Sequence, residues 1–178
     1  GDRVGVGCLV DSCRHCPPCC EGDEPLCENG AIQTYNGFDR HLGGMTYGGY
    51  AQSIVVDAAF VLRMPLQLPP AASAPLLCAG ITTYAPLKRA NVGVGHRVAV
   101  VGLGGLGHVA VQLAAAMGAE VTVLSTSNAK QADAERLGAS DFMVTHDALA
   151  MDKASHRFDL MLDTVSAPHD INALLRTL

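Results

Sequence analysis

The rhythm of apolar positions changes near residue 75. Downstream, "RVAVV" (97–101) is an unbroken apolar run of strand length, and Leu106, Val109, Ala110, Leu113 and Met117 then recur at helical spacing until Gly118. "EVTVL" (120–124) predicts the next strand and "AKQADAERLG" (129–138) the next helix. "DFMVT" (141–145) and "FDLMLDTV" (158–165) predict a third and a fourth strand, and "INALLRTL" a closing helix. Strands alternating with helices predict a parallel sheet with right-handed crossovers. Ahead of the first strand, "PLLCAGITTYAPLKRA" (75–90) predicts one helix.

Upstream the pattern is shorter-ranged. "GDRVGVG", "YAQSIVV" (50–56) and "FVLRM" (60–64) predict short strands between glycine-rich loops. The proline- and alanine-dense stretch "RMPLQLPPAASAP" (63–75) separates the two regimes. The expected division is therefore a β-rich part over residues 1–70 and an α/β part over 71–178. No internal repeat or low-complexity tract interrupts either.

Composition narrows the class. Of the 178 residues 49% are hydrophobic but only 4% aromatic, so the core must be aliphatic. A net charge of −5 gives no electrostatic reason to expect nucleic acid or an anionic membrane surface. No apolar run reaches the roughly 18 residues needed to cross a bilayer, and no signal peptide opens the chain. The chain starts at Gly1 and stops inside a predicted helix, which reads as a segment of something longer. Six of the seven cysteines fall before residue 28, the seventh being Cys78. Clustered cysteines in a chain of this size point to metal rather than to disulfides, hence to a reducing, cytoplasmic setting.

"GLGGLG" (102–107) follows a predicted strand and opens a predicted helix, the context in which a G-x-G-x-x-G string indicates a dinucleotide loop. Gly102 permits the tight turn, Gly104 lets a pyrophosphate approach the main chain, and Gly107 lets the helix pack closely. Leu103, Gly105 and Leu106 complete the loop, whose amides meet the phosphates. The alternative is a tight strand–helix connection without a ligand. The second strand ends at Leu124 and is followed by "STSNAK", with no carboxylate to clasp a ribose. Ser125 and Thr126 offer hydroxyls and Lys130 a charge, which suits the 2′-phosphate of NADP; a polar loop with a merely solvated lysine is the other reading.

"CRHCPPCCEGDEPLC" carries C-x2-C-x2-C-x7-C at Cys13, Cys16, Cys19 and Cys27. Four thiolates on a short loop match a closed tetrahedral structural zinc site. An iron–sulfur cluster competes, although the last gap is longer than in the bacterial ferredoxin run and no proline follows Cys27. Cys8 and Cys20 are spare, and His15 reads as a surface residue. On composition, Cys78 in an apolar helix reads as core.

Several stretches together resemble the zinc-dependent medium-chain alcohol dehydrogenases, in particular the cinnamyl-alcohol-dehydrogenase branch with its bacterial aldehyde reductases. They are "GDRVGVGCLVDSCRHC", "LGGMTYGGYAQSIVV", "APLLCAGITTYAPL", "VAVVGLGGLGHVAVQLA", "VTVLSTS" and "FDLMLDTVSAPHDIN". The resemblance implies a GroES-like catalytic part followed by a partial Rossmann domain that binds NADP(H). It assigns Cys13, Cys16, Cys19 and Cys27 to the structural zinc and makes Cys78 a ligand of a catalytic zinc. It sets Thr82 and Thr164 near the cofactor and gives Ser125, Thr126 and Lys130 the adenosine phosphate. It further implies small alcohol or aldehyde substrates, aromatic ones included, and a homo-oligomer.

The departures concern what is absent. The family's upstream cysteine, its His-Glu pair and its proton relay have no counterpart here, nor do the last Rossmann strands. One ligand cannot hold a catalytic zinc that needs three, so the segment alone is expected to be inert. Two rival readings are a zinc-free reductase relative and a non-enzymatic zinc-ribbon module.

Overall fold

The computed structural model describes all 178 residues and divides into two compact units, Gly1–Cys78 and Ala79–Leu178. The first is built from short antiparallel pairs. Strand β1 (Val4–Val6) pairs with β6 (Val61–Arg63), β2 (Leu9–Asp11) with β3 (Ile32–Gln33), and β4 (Tyr35–Asp39) with β5 (Gly44–Tyr47). Helices α1 (Pro17–Cys20) and α2 (Pro70–Ser73) are single turns opened by proline, whose missing N–H costs nothing at a helix start. Val10 and Ile32 are buried, but the cluster that closes this unit consists of Cys16, Cys19 and Cys27 with Cys13 and Ala31 against them. Tyr35, Phe38, Leu42, Met45, Tyr47 and Val55 remain exposed.

Two expectations need correction in this unit and at its edge. "YAQSIVV" forms no strand: residues 48–50 make a 3-10 turn and 51–56 run on without ladder partners. The β-branched run satisfies the propensity, but no neighbouring strand is there to pair with it. Nor is 75–90 one helix. A 3-10 turn over Ala74–Leu77 ends at Cys78 (φ −124°, ψ −73°), and α3 (Ala79–Arg89) starts afresh. Cys78 is thus an exposed joint and not a core residue.

The second unit is the predicted parallel sheet. β7 (Arg97–Val101), α4 (Gly105–Ala116), β8 (Glu120–Ser125), α5 (Gln131–Arg136), β9 (Asp141–Val144), α6 (Ala148–Lys153), β10 (Leu160–Asp163) and α7 (Ile171–Leu175) follow one another. The strand order is β10-β7-β8-β9, every pair parallel. Val98, Val100, Val121 and Val123 face Leu87 of α3 and Ala110, Val111 and Ala114 of α4. Ala99, Val101 and Leu124 face Met151 of α6, Phe158 and Leu174 of α7. Alternate residues of one strand thus feed two cores, which is why "RVAVV" is apolar throughout. No helix of the protein is long and apolar enough to cross a membrane.

Candidate functional site

From β7 the chain winds outward through β8 and β9 and then returns to the opposite side of β7 as β10. The direction of winding reverses between β7 and β10, and ligands of open α/β sheets bind beyond the carboxyl ends of the strands at such a switch point. The glycine loop sits there. Gly102 follows the last residue of β7 with φ +84°, a conformation costly for any residue with a Cβ. Its N–H donates to the Leu124 carbonyl (2.8 Å), tying the turn to the end of β8. A Cβ on Gly107 would lie 2.0 Å from the Gly102 carbonyl oxygen, so the first turn of α4 packs directly on the loop.

Gly104 and Gly105 behave differently. A Cβ on either would meet nothing within 4 Å, and both are exposed. Gly104 caps α4 without any side-chain hydrogen bond, so the helix presents its opening amides outward, an arrangement suited to an anion. Leu103 is buried beneath the loop and Leu106 half-buried. Open space at Gly104 beside a hard backbone contact at Gly107 is the pattern a pyrophosphate cradle requires.

Ser125 ends β8 half-buried and Thr126 follows, exposed. The Lys130 ammonium donates to the Leu103 carbonyl (2.9 Å), so this exposed lysine reaches from the β8 loop to the glycine loop. Thr164 lies after β10, where its hydroxyl donates to the Val101 carbonyl (2.8 Å) and lies 3.3 Å from the Gly102 carbonyl. It holds the turn from behind. Thr82 is exposed on α3.

In the first unit, the sulfurs of Cys13, Cys16, Cys19 and Cys27 lie within 4.8 Å of one another, and none is in a disulfide. Cys13 and Cys19 sulfurs are 3.9 Å apart, against about 3.8 Å for the edge of a tetrahedron with Zn–S bonds of about 2.3 Å. The Cys13 amide points at the Cys27 sulfur and the Cys16 amide at the Cys13 sulfur, both at 3.4 Å. Hydrogen bonding from the His15 backbone and then from Asn29 pulls the Cys13 thiol down to about 5, whereas burial pushes Cys16 up. Four sulfurs this close cannot all ionise without a cation between them. Donor type, number and spacing fit zinc.

Cys20 and His15 stay outside this group, Cys20 exposed with its thiol on the His15 carbonyl and His15 bonded to the Cys13 carbonyl. Arg14 anchors the loop. Its guanidinium reaches Asp11 (2.8 Å) and Asp57 (2.8 Å) and lies over the Phe60 ring. An open cleft of about 660 Å³ beside the loop is lined by Asp11, Arg14 and Asp57 with Asp39, His41 and Leu42; Arg14 pairs with Asp11 and Asp57, and Asp39 accepts the His41 and Leu42 N–H groups.

Cys78 belongs to no group of three possible ligands. Its neighbour is Cys8, read from sequence as spare; partial burial and then the Cys78 thiol push the Cys8 thiol up. The residues of this chain therefore do not by themselves form a second, catalytic zinc site. Sequence reasoning also missed an Asp163–His169 pair (2.8 Å) beside the glycine loop, which no periodicity or motif spacing signals.

A doubly wound sheet with a glycine loop at its switch point defines a dinucleotide-binding unit, here joined to a four-thiol lobe. Comparison with known proteins makes the class specific. Residues 105–178 match the zinc-binding dehydrogenase family and residues 1–66 the alcohol dehydrogenase GroES-like domain. The chain belongs to the zinc-binding alcohol dehydrogenases. It is 58% identical over 176 residues to NADP-dependent alcohol dehydrogenase C 1 of Mycolicibacterium smegmatis, covering 98% of this chain and 50% of that protein. A cinnamyl alcohol dehydrogenase from Sorghum bicolor superposes with TM-score 0.92 at 49% identity, over 100% of this chain and 51% of that one. The CAD of Helicobacter pylori, complexed with NADP(H), gives 0.88 at 40% identity, again over 100% of this chain and 50% of that one. The chain thus spans about half the length of the relatives it matches.

The two kinds of glycine can be told apart by substitution. Gly107→Ala is expected to cost about 3 kcal/mol or more, because backbone must move. Gly104→Ala should shift stability by no more than about 1 kcal/mol. Urea denaturation of the two variants measures both; equal losses would show that the loop is uniformly packed and no cradle exists.

Proposed function

We propose that the complete protein is a zinc-dependent oxidoreductase that interconverts primary alcohols and aldehydes, aromatic and cinnamyl-type compounds included, with NADP(H). The observation that carries this reading is the glycine loop at the β7/β10 switch point with Lys130 folded onto it, in a family of zinc-binding alcohol dehydrogenases. Residues 1–70 serve as part of the GroES-like catalytic domain and 71–178 as part of the Rossmann domain.

In this reading the chain's own residues mainly bind and orient. Gly102, Leu103, Gly104, Gly105, Leu106 and Gly107 offer main-chain amides to the pyrophosphate, and Thr164 keeps the turn in place. Ser125 and Thr126 hydrogen-bond the 2′-phosphate while Lys130 balances its charge, where an NAD enzyme would carry a carboxylate. Thr82 borders the nicotinamide side. Bound NADP(H) supplies hydride exchange with the alcohol carbon, and the protein's part is to fix that geometry and exclude water. Cys13, Cys16, Cys19 and Cys27 hold a structural zinc. Cys78, at its non-helical joint, contributes one thiolate to a catalytic zinc whose other ligands lie elsewhere in the protein. The substrate is a small molecule, with neither nucleic acid nor membrane as partner, and the complete protein is a homo-oligomer. Unpaired thiols throughout support a reducing, cytoplasmic setting. The apolar side chains left exposed on the first unit are covered by the remainder of the protein, and the isolated chain is inactive.

Three measurements test this. The isolated chain should retain about one zinc and no iron through dialysis; iron with a visible charge-transfer band overturns the assignment. The complete protein should prefer NADPH to NADH, and Ser125→Asp should weaken NADPH binding by about tenfold or more through repulsion of the 2′-phosphate. Equal use of NADH by the unaltered protein removes the phosphate reading. Cys78→Ala in the complete protein should leave the structural zinc, release the other and abolish alcohol oxidation while NADPH still binds. Had Cys78 been core, the cost would be a small cavity of about 1 kcal/mol with the metal content unchanged.

A further inference from the structure

We propose that His169 is a positioning residue for the nucleotide loop: doubly protonated, it clasps residues 164–169 to Asp163 beside Gly102, and cofactor affinity falls when the ring loses its second proton. The inference rests on the cofactor reading above and goes beyond it to the control of that site.

The geometry defines the charge. His169 Nε2 lies 2.8 Å from Asp163 Oδ2 and Nδ1 lies 2.8 Å from the Ala167 carbonyl. A carboxylate and a carbonyl can only accept, so both ring nitrogens must donate. A neutral imidazole donates from one nitrogen alone; both contacts are made only by imidazolium. Asp163 Oδ1 meanwhile accepts the Val165 N–H (3.0 Å), so one carboxylate closes the segment at both ends.

The clasped segment is part of the cradle. Val165 Cγ2 lies 2.6 Å from where a Cβ on Gly102 would be, and Thr164 bonds the Val101 carbonyl. Asp163 is in register with Val101, the residue before the glycine turn. Ordering 164–169 therefore orders one wall of the loop, and His169 adds a positive charge on that side.

The charged groups facing the ring are Asp163 and, through space, Asp170, and both favour its charged form. The Ala167 carbonyl first, and Asp163 next, hold His169 above the ordinary histidine range. A raised pKa in the folded state means that the clasp is complete below the ordinary histidine value and is lost as pH rises through the raised one. Affinity for an anionic cofactor moves in the same direction.

The test uses the complete protein and its His169→Gln variant. NADPH dissociation constants are measured by fluorescence from about pH 6 to about pH 9, alongside an NMR titration of the histidine rings. The 2′-phosphate titrates in both proteins, so the ratio of the two constants isolates the clasp. The unaltered protein should bind about threefold to tenfold more tightly at the acid end, a fraction of one charge-assisted hydrogen bond, and the ratio should fall towards one at the alkaline end. The ring signal missing from the variant should titrate above the ordinary histidine range. A pH-independent ratio, or a ring titrating at or below that range, overturns the clasp and leaves the cofactor reading standing. A protein that binds no NADPH at any pH overturns the cofactor reading and this inference with it. Should His169→Gln fail to fold, Asp163→Asn must shift the pH dependence of binding downward; an unshifted profile overturns the clasp.

Discussion

The second unit depends on β7 being buried on both faces. Val98 and Val100 close one core and Ala99 and Val101 the other, so the strand cannot slide or turn without emptying one of them. Because its position is over-determined, the residue after it inherits a defined place at the sheet's carboxyl edge. Gly102 turns there, and Gly107 brings α4 back onto its carbonyl. The amides that face outward are thus fixed by packing two residues away, without any contact to a ligand. That is the usual economy of binding sites on α/β sheets: the core supplies the rigidity and the loop the chemistry.

The first unit solves the same problem with other means. Its strands are two to five residues long and paired two by two, and they leave large apolar side chains uncovered. Nothing aliphatic on the scale of the β7 core holds residues 12–32 together. What converges there are four sulfurs, braced by Arg14 between Asp11 and Asp57. In the reading proposed above, a divalent ion bound by these four thiolates would join segments that burial does not, because the binding free energy of a structural zinc is folding free energy.

How far the molecule was legible follows from this contrast. The strands from 97 onward and helices α4 and α5 announce themselves by their apolar runs and periodicity, whereas α6, only six residues long, does not, and the cysteine spacing marks its own cluster. "YAQSIVV" misled because β-branched residues express only a propensity, while a strand requires a partner. The helix drawn through 75–90 misled because periodicity is blind to a single residue leaving helical angles, and Cys78 is that residue. The pairings β2–β3 and β4–β5 went unnoticed because their segments are too short for alternation to register. The division of labour among the glycines was legible in outline, but the work of Lys130 and Thr164 was not, since both act on main-chain carbonyls far away in sequence.

Those carbonyl contacts bear on how an acidic protein holds an anion. With a net charge of −5, the chain as a whole repels a phosphorylated nucleotide at long range. Attraction must come from groups close to the crevice, within about a Debye length of 8 Å at physiological salt. In the reading proposed above, three groups beside the glycine loop serve this end: the opening amides of α4, the Lys130 ammonium on the Leu103 carbonyl, and the His169 ring between Asp163 and Ala167. Lys130 and His169 are each held by a neighbouring acceptor that also steers them, and the α4 amides are fixed by the packing of Gly107, so these groups are ordered before a ligand arrives. Ordering in advance removes part of the entropic cost of binding. The crevice can therefore favour an anionic ligand although the surface around it does not, and the preference is local, short-ranged and sensitive to single residues.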